Sequence, residues 1–197
     1  MHKLIVLVLV STFAFLSCDG DKVYTPKPRL YPRIDFPEKG FQELQREDCP
    51  FTFSFPTYAK VAKDKNVFED EAPDGCWFNL NMPSLNGSLH CSYIAIDDEE
   101  EFNKIIRDAF KIVSEHNIKA NYRDEKLVKN PKGVEGLLFD ISGPVATPFQ
   151  FYLTDTVNHF FRASLYFNSK VDPDSMAPVH DFVIEDMQEI IQSFEWK

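Results

Sequence analysis

Three residues able to do chemistry stand close together in one short stretch: Asp155, His159 and Arg162, flanked by Thr154 and Thr156. A carboxylate beside an imidazole and a guanidinium could move protons or hold an anion. The plainer role for the same residues is structural. Asp155 would bond its own backbone in a turn, and His159 and Arg162 would be polar groups along a hairpin. Phe160, Phe161 and Tyr166 alternate through the stretch and cannot all face one core, so aromatic surface is expected there. Asp155, His159, Phe161 and Arg162 are therefore the candidate partner surface, with an acid–base or ligand site on the same hairpin as the alternative.

Other chemistries find less support. The nucleophile elbow G-x-S-x-G and the phosphate loops GxGxxG and GxxxxGK[ST] do not occur. His90, His116, His159 and His180 are separated by at least twenty-one residues, and no CxxC or HxxxH pair exists, so no local metal site is expected. The acidic run Asp97 to Glu101 precedes apolar residues at Phe102, Ile105, Ile106, Ala109, Phe110, Ile112 and Val113. This spacing is helical, so Asp97 or Asp98 is expected to cap a helix whose positive end the glutamates complement. Cys49, Cys76 and Cys91 allow one disulfide and one thiol left over; Cys49 with Cys76 is the preferred pair, both preceding apolar strand-like runs, and Cys91 lies inside a strand pattern.

The elements that would position these groups follow from the apolar periods. Phe51, Phe53 and Phe55 alternate with small polar residues, and Trp77 to Met82 alternates again. Pro83 to Ser88 holds the turn formers Asn86-Gly87, and Leu89 to Ile96 forms the return arm of a hairpin. After the helix, which should end near His116, come a strand around Ala120 to Val128, a turn at Asn130 to Gly133 and a strand from Val134 to Ile141. Two more strands, Phe149 to Thr154 and His159 to Asn168, are joined by Asp155 to Asn158. A last helix is expected from about Pro178 or Asp181 to Phe194. Hairpins in sequence with one helix in the middle and one at the end imply an α+β domain, an antiparallel sheet of hairpins covered by two main helices. This order resembles the Mog1/PsbP-like sandwich.

The start of the chain speaks to compartment. Lys3 precedes a thirteen-residue apolar or small run, Leu4 to Leu16, that stops at Ser17-Cys18. Such a run rises only about 20 Å as a helix, short of a bilayer core of roughly 30 Å, and reads as a signal peptide over residues 1–17. Phe15-Leu16-Ser17-Cys18 looks like a bacterial lipobox with Cys18 as the lipidated residue. Residues 18–48 then form the lipidated cysteine and a Pro-rich extended tether, and residues 49–197 a single domain. With 21 Lys and Arg against 31 Asp and Glu, the net charge of −10 opposes binding to nucleic-acid phosphates.

Longer strings carry a family resemblance. YTPKPRLYPRIDFP at Tyr24 to Pro37, CPFTFSFPTYA at Cys49 to Ala59 and CWFNLNMP at Cys76 to Pro83 are followed in order by FQFYLTDTVNHFFRASLYFN at Phe149 to Asn168. DSMAPVHDFVIEDMQEIIQSFEWK at Asp174 to Lys197 ends the series. On these strings the chain resembles the gliding motility lipoprotein GldD family of Bacteroidetes. The resemblance implies a role in gliding motility and type IX protein secretion, in the cell envelope, beside other gliding and secretion proteins, with no enzymatic activity and no cofactor. The expected protein is thus a lipid-anchored accessory facing the periplasm and acting through protein contacts. An envelope enzyme or a small-ligand binder using Asp155, His159 and Arg162 is the alternative.

Overall fold

Phenylalanines every second residue need a sheet or a second layer to bury them, and the computed structural model supplies both. It describes residues 33–63, 76–169 and 172–197. The expected signal peptide at residues 1–17, the expected lipidation site Cys18, the first part of the expected Pro-rich tether and residues 64–75 lie outside the described residues.

Seven strands form one antiparallel sheet. They are β4 (Lys60–Lys63), β5 (Phe78–Met82), β6 (Gly87–Ala95), β7 (Tyr122–Lys129), β8 (Glu135–Ser142), β9 (Phe149–Thr154) and β10 (His159–Phe167), in the spatial order β4-β5-β6-β10-β9-β8-β7. The β5–β6, β7–β8 and β9–β10 hairpins are those read from the sequence, and β10 joins them by pairing along its whole length with β6, from His159 opposite Ala95 to Phe167 opposite Gly87. Asn86, with φ of 49°, makes the left-handed step between β5 and β6. The α+β class, the antiparallel sheet and the two helices are as the sequence indicates.

The two helices take opposite faces. Helix α1 (Glu99–His116) starts with a reciprocal cap: Asp98 Oδ1 accepts the Glu101 N–H at 2.8 Å, and Glu101 Oε2 accepts the Asp97 N–H at 2.8 Å. Its Ile105, Ala109 and Val113 pack over Phe160, Phe139 and Ile141. Helix α2 (Pro173–Ser193) buries Val183, Met187, Ile190 and Ile191 against Phe149, Phe151, Phe161 and Leu165 on the other face. It begins five residues earlier than the expected Pro178, which the helix accommodates within its second turn.

Four short strands finish the α2 side. β1 (Phe41–Glu43) pairs with β3 (Ser54–Pro56), and β2 (Phe51–Thr52) pairs with the terminal β11 (Glu195–Trp196). Phe51 thereby sits among the rings of Phe53, Phe161, Phe194 and Trp196, with centroids 5.0 to 6.2 Å away. The structure joins Cys49 to Cys76, closing this corner, and leaves Cys91 as a buried free thiol whose pKa burial pushes up.

The folded unit begins earlier than residue 49. It spans Ile34–Lys197, because Phe41–Glu43 pairs with β3, Leu44 is buried and Lys39 grips α2. Lys39 Nζ lies 2.7 Å from Glu185 and 3.1 Å from buried Asp186, which also accepts a short hydrogen bond from the Tyr58 hydroxyl. The later tether residues are thus a covering strap of the domain.

Candidate functional site

The β9–β10 turn is held by one carboxylate oxygen. Asp155 Oδ1 accepts the N–H groups of Val157, Asn158 and His159 at 3.0, 2.9 and 2.8 Å. Burial works to raise the Asp155 pKa, but these three donors outweigh it and hold the carboxyl below its ordinary range. Thr154 and the left-handed Thr156 complete the turn, the Thr154 hydroxyl donating to the His159 carbonyl and accepting from the Thr156 N–H. Asp155 is therefore a turn residue.

Successive residues of β10 point to opposite faces, and this separates the remaining members of the expected cluster. His159 turns toward α2, where its Nδ1 meets the Tyr93 hydroxyl at 2.8 Å and its ring stacks on Trp196 at 5.1 Å. Arg162 turns toward α1. The structure does not bring Asp155, His159 and Arg162 into one acid–base constellation.

Phe161 is fully buried in the α2-side core, so it offers no surface to a partner. Phe160 and Phe161 do point away from each other, as the alternation requires, but the aromatic surface expected from them is absent for a simple reason. Each face of the sheet has its own helix, and Phe160, stacked on Tyr152 at 5.2 Å, is as well covered by α1 as Phe161 is on the other side.

Arg162 has an unusual setting. Arg162 lines a small gap with Ala109 and Val113 of α1, and its Nη2 donates to Gln150 Oε1 at 2.9 Å. Gln150 is itself buried, accepts from the Ser164 hydroxyl at 3.2 Å and donates to Thr147 Oγ1 at 3.1 Å. Burial lowers the Arg162 pKa, with the Tyr166 hydroxyl pulling weakly the other way. Among the described residues no carboxylate pairs with Arg162.

The α1-side face continues as polar surface toward β5. Asn79, His90 and Ser164 lie in one row across β5, β6 and β10, with Ser92 beside Arg162 and Ser88 beside Tyr166 in the neighbouring rows. The His90 and Tyr166 rings meet edge to face at 4.8 Å. Asn79 is buried, yet its Oδ1 has no hydrogen-bond partner among the described residues. Sequence reasoning missed this face, although its signal is present: FNLNM, SLHCSY and RASLY each alternate apolar residues with Asn, Ser, His or Arg.

Two further features lie away from the hairpin residues. A largely apolar cleft of about 190 Å³ sits between residues 140–148 and the start of α2, and none of Asp155, His159 or Arg162 lines it. Asp48, Cys49 and Cys76 bring three ligand-type atoms within 4.8 Å of one another, but the two sulfurs are bonded to each other, and a disulfide sulfur is not a thiolate ligand.

A family profile described as gliding motility lipoprotein GldD matches residues 21–196. The chain belongs to the GldD family. It is accordingly a gliding motility lipoprotein, a membrane-anchored protein of the cell envelope, and no helix among the described residues is long and apolar enough to cross a membrane. Comparison with curated proteins gives no match. Among solved structures, cyanobacterial PsbP (CyanoP) from Synechocystis sp. is similar with a TM-score of 0.41 and 12% identity, over 82% of this chain and 95% of that one. The Ran-binding protein Mog1p of Saccharomyces cerevisiae is similar with a TM-score of 0.39 and 11% identity, over 81% and 96%.

Proposed function

We propose that this GldD-family chain is a periplasm-facing lipoprotein, anchored through Cys18, that serves gliding motility and type IX protein secretion by contacting other envelope components of that machinery. The contact region is the α1-side sheet face around Arg162. The observation that carries this reading is the partial cover of that face: His90, Ser92, Arg162 and Tyr166 each keep some surface in solvent, whereas the α2 side of the same strands is closed by aromatic packing. A surface rich in hydrogen-bonding groups with an aromatic pair and an unmatched guanidinium suits recognition of a protein. An enzyme reading built on Asp155 and His159 loses its support, because the first is committed to the turn and the second to Tyr93 and Trp196.

Crosslinking in intact cells, followed by purification through this protein and mass spectrometry, tests the proposal. Gliding or secretion components should be recovered with the native chain and lost with Cys18→Ala. A preparation free of such components, together with unchanged secretion when the gene is deleted, would overturn it.

A further inference from the structure

An edge strand turns every second N–H and C=O away from its sheet, where water or another strand must answer them. The seven-stranded sheet has two such edges, β4 and β7. β4 is four residues long with a lysine at each end, whereas β7 runs for eight, with five residues exposed and none buried. Among the described residues β7 pairs with β8 alone. The Asn130 N–H donates to the Val134 carbonyl in the register that joins β7 to β8, so alternation directs the backbone groups of Arg123, Glu125 and Leu127 outward. Leu127, 90% exposed, is the most exposed large apolar side chain among the described residues, and Tyr122 is 64% exposed.

The order of side chains along β7 selects the strand that fits this edge. Arg123, Glu125 and Leu127 lie on the α1 face, since Leu127 stands opposite Leu137, and Tyr122, Asp124, Lys126 and Val128 lie on the α2 face with Leu138. Two copies of β7 meeting antiparallel about a two-fold axis must set one residue opposite itself. With Glu125 at that centre, Asp124 of each copy faces Lys126 of the other, and Tyr122 of each faces Val128 of the other. Two ion pairs thus lie between two aromatic–aliphatic pairs. On the other face the stem of each Arg123 covers Leu127 of the other copy. The Arg123 guanidinium, 2.8 Å from its own Glu125, is diagonal to Glu125 of the other copy and answers the one like-charge contact. Centring on Lys126 would set lysine on lysine and Asp124 on Val128, and centring on Asp124 would set aspartate on aspartate and Tyr122 on Lys126. Centring on Leu127 would leave five residues in the ladder, with Lys126 on Val128.

We infer that the protein self-associates through β7, joining two sheets into one by antiparallel pairing centred on Glu125. The partner is a second copy of this chain. Lysine on an edge strand ordinarily discourages pairing, but here each Lys126 meets an aspartate of the other copy. Lys126 already lies 2.9 Å from Asp124 of its own strand, so the second copy completes an alternating cluster of four charges. β7 lies three strands from β10, so the pairing leaves the surface around Arg162 open and goes beyond the contact proposed there. A ladder of this length is a small interface, so association is weak in solution and gains when both copies are held on one membrane.

Sedimentation equilibrium of the full-length lipoprotein, with detergent micelles in excess and protein up to about 1 mM, tests the inference. The native chain should show a concentration-dependent dimer. Lys126→Asp sets two aspartates against each other and should weaken the dimer at least tenfold. Adding Asp124→Lys to that variant should restore native association, because the swap re-forms both ion pairs. Lys60→Asp, on the opposite edge, should change nothing. A short thiol crosslinker should join Glu125→Cys to its own copy faster than Lys126→Cys or Leu127→Cys, since the two Leu127 positions lie about 13 Å apart along the ladder. Glu125, Lys126 and Leu127 are exposed, so these variants should keep the native melting temperature. A native chain that stays monomeric, a dimer indifferent to Lys126→Asp, or crosslinking led by Lys126→Cys or Leu127→Cys would overturn the inference. So would a Glu125→Cys chain that, in intact cells, crosslinks only to a different protein.

Discussion

Replacing Asp155 separates a turn staple from a contact residue. In Asp155→Ala three backbone N–H groups lose their acceptor at distances of 2.8 to 3.0 Å. Bonds of this kind contribute about 0.5 to 1.5 kcal/mol each, and since one oxygen serves all three and water can reach the turn, the sum should be about 1 to 2 kcal/mol. For a domain of this size that is a fall of about 3 to 6 °C in melting temperature. Asp155→Asn keeps an oxygen acceptor without the charge and should lose about half as much. The pH dependence has a definite sign. The folded-state pKa of Asp155 lies below its ordinary value, so the stabilisation is fully present above the unfolded pKa of about 3.9 and is lost as pH falls through the folded value. The stability gap between the native chain and the Asp155→Asn variant, followed by calorimetry, should therefore be constant from pH 7 to about pH 5 and shrink below about pH 4. A gap that stays flat to acid pH, or an Ala variant of native stability that nonetheless fails to recover partners, would refute the turn assignment and return Asp155 to the contact surface.

Three other outcomes can be read with purified protein. Asn130→Ala should cost about 2 to 4 kcal/mol in denaturant titration, because the buried Asn130 amide donates to the Ile191 and Phe194 carbonyls at 3.0 and 2.7 Å and accepts the Lys132 and Val134 N–H groups, tying the β7–β8 turn to the end of α2. Opening the Cys49–Cys76 bridge, with its separation of 27 residues, should cost about 3.5 kcal/mol on the chain-entropy model, and alkylation of the native protein should label none of Cys49, Cys76 or buried Cys91 until reductant is added. Gly136→Ala should yield little soluble protein, since a Cβ at that position would lie 1.9 Å from the Tyr152 carbonyl oxygen of the neighbouring strand, where backbone must move.

How much of this was legible varies with how local the cause is. The cap of α1, the β9–β10 turn and the hairpin arms are set by residues within a few positions of one another, and Asp155 as its own turn's acceptor is a local fact. The rule that side chains alternate along a strand was also available: His159 and Arg162, three positions apart, had to face opposite sides. What the period could not show is how many layers lie on each side. Phe160 and Phe161 read as one core residue and one surface residue only if one face is bare, and both faces carry helices. Strand β1 was illegible for another reason, since all three of its residues are exposed and its strand partner β3 lies eleven or more residues further along the chain. The polar row of Asn79, His90 and Ser164 comes from three separate hairpin arms, so no local window contains it.

The same strands therefore carry two different demands. On the α2 side the rings of Phe51, Phe161, Phe194 and Trp196, the disulfide, and the Lys39–Asp186–Tyr58 strap are all committed to one another, and a change to any of them acts first on folding. On the α1 side, from Arg162 toward β5, the sheet holds, among the described residues, a cation without a carboxylate and an amide oxygen without a donor, arrangements that lower stability where apolar residues would raise it. With Lys39 strapped onto α2, substitutions on the closed face act on folding before they act on anything else. The polar face is then where substitutions should separate function from stability, with Arg162→Gln the change that does so most cleanly.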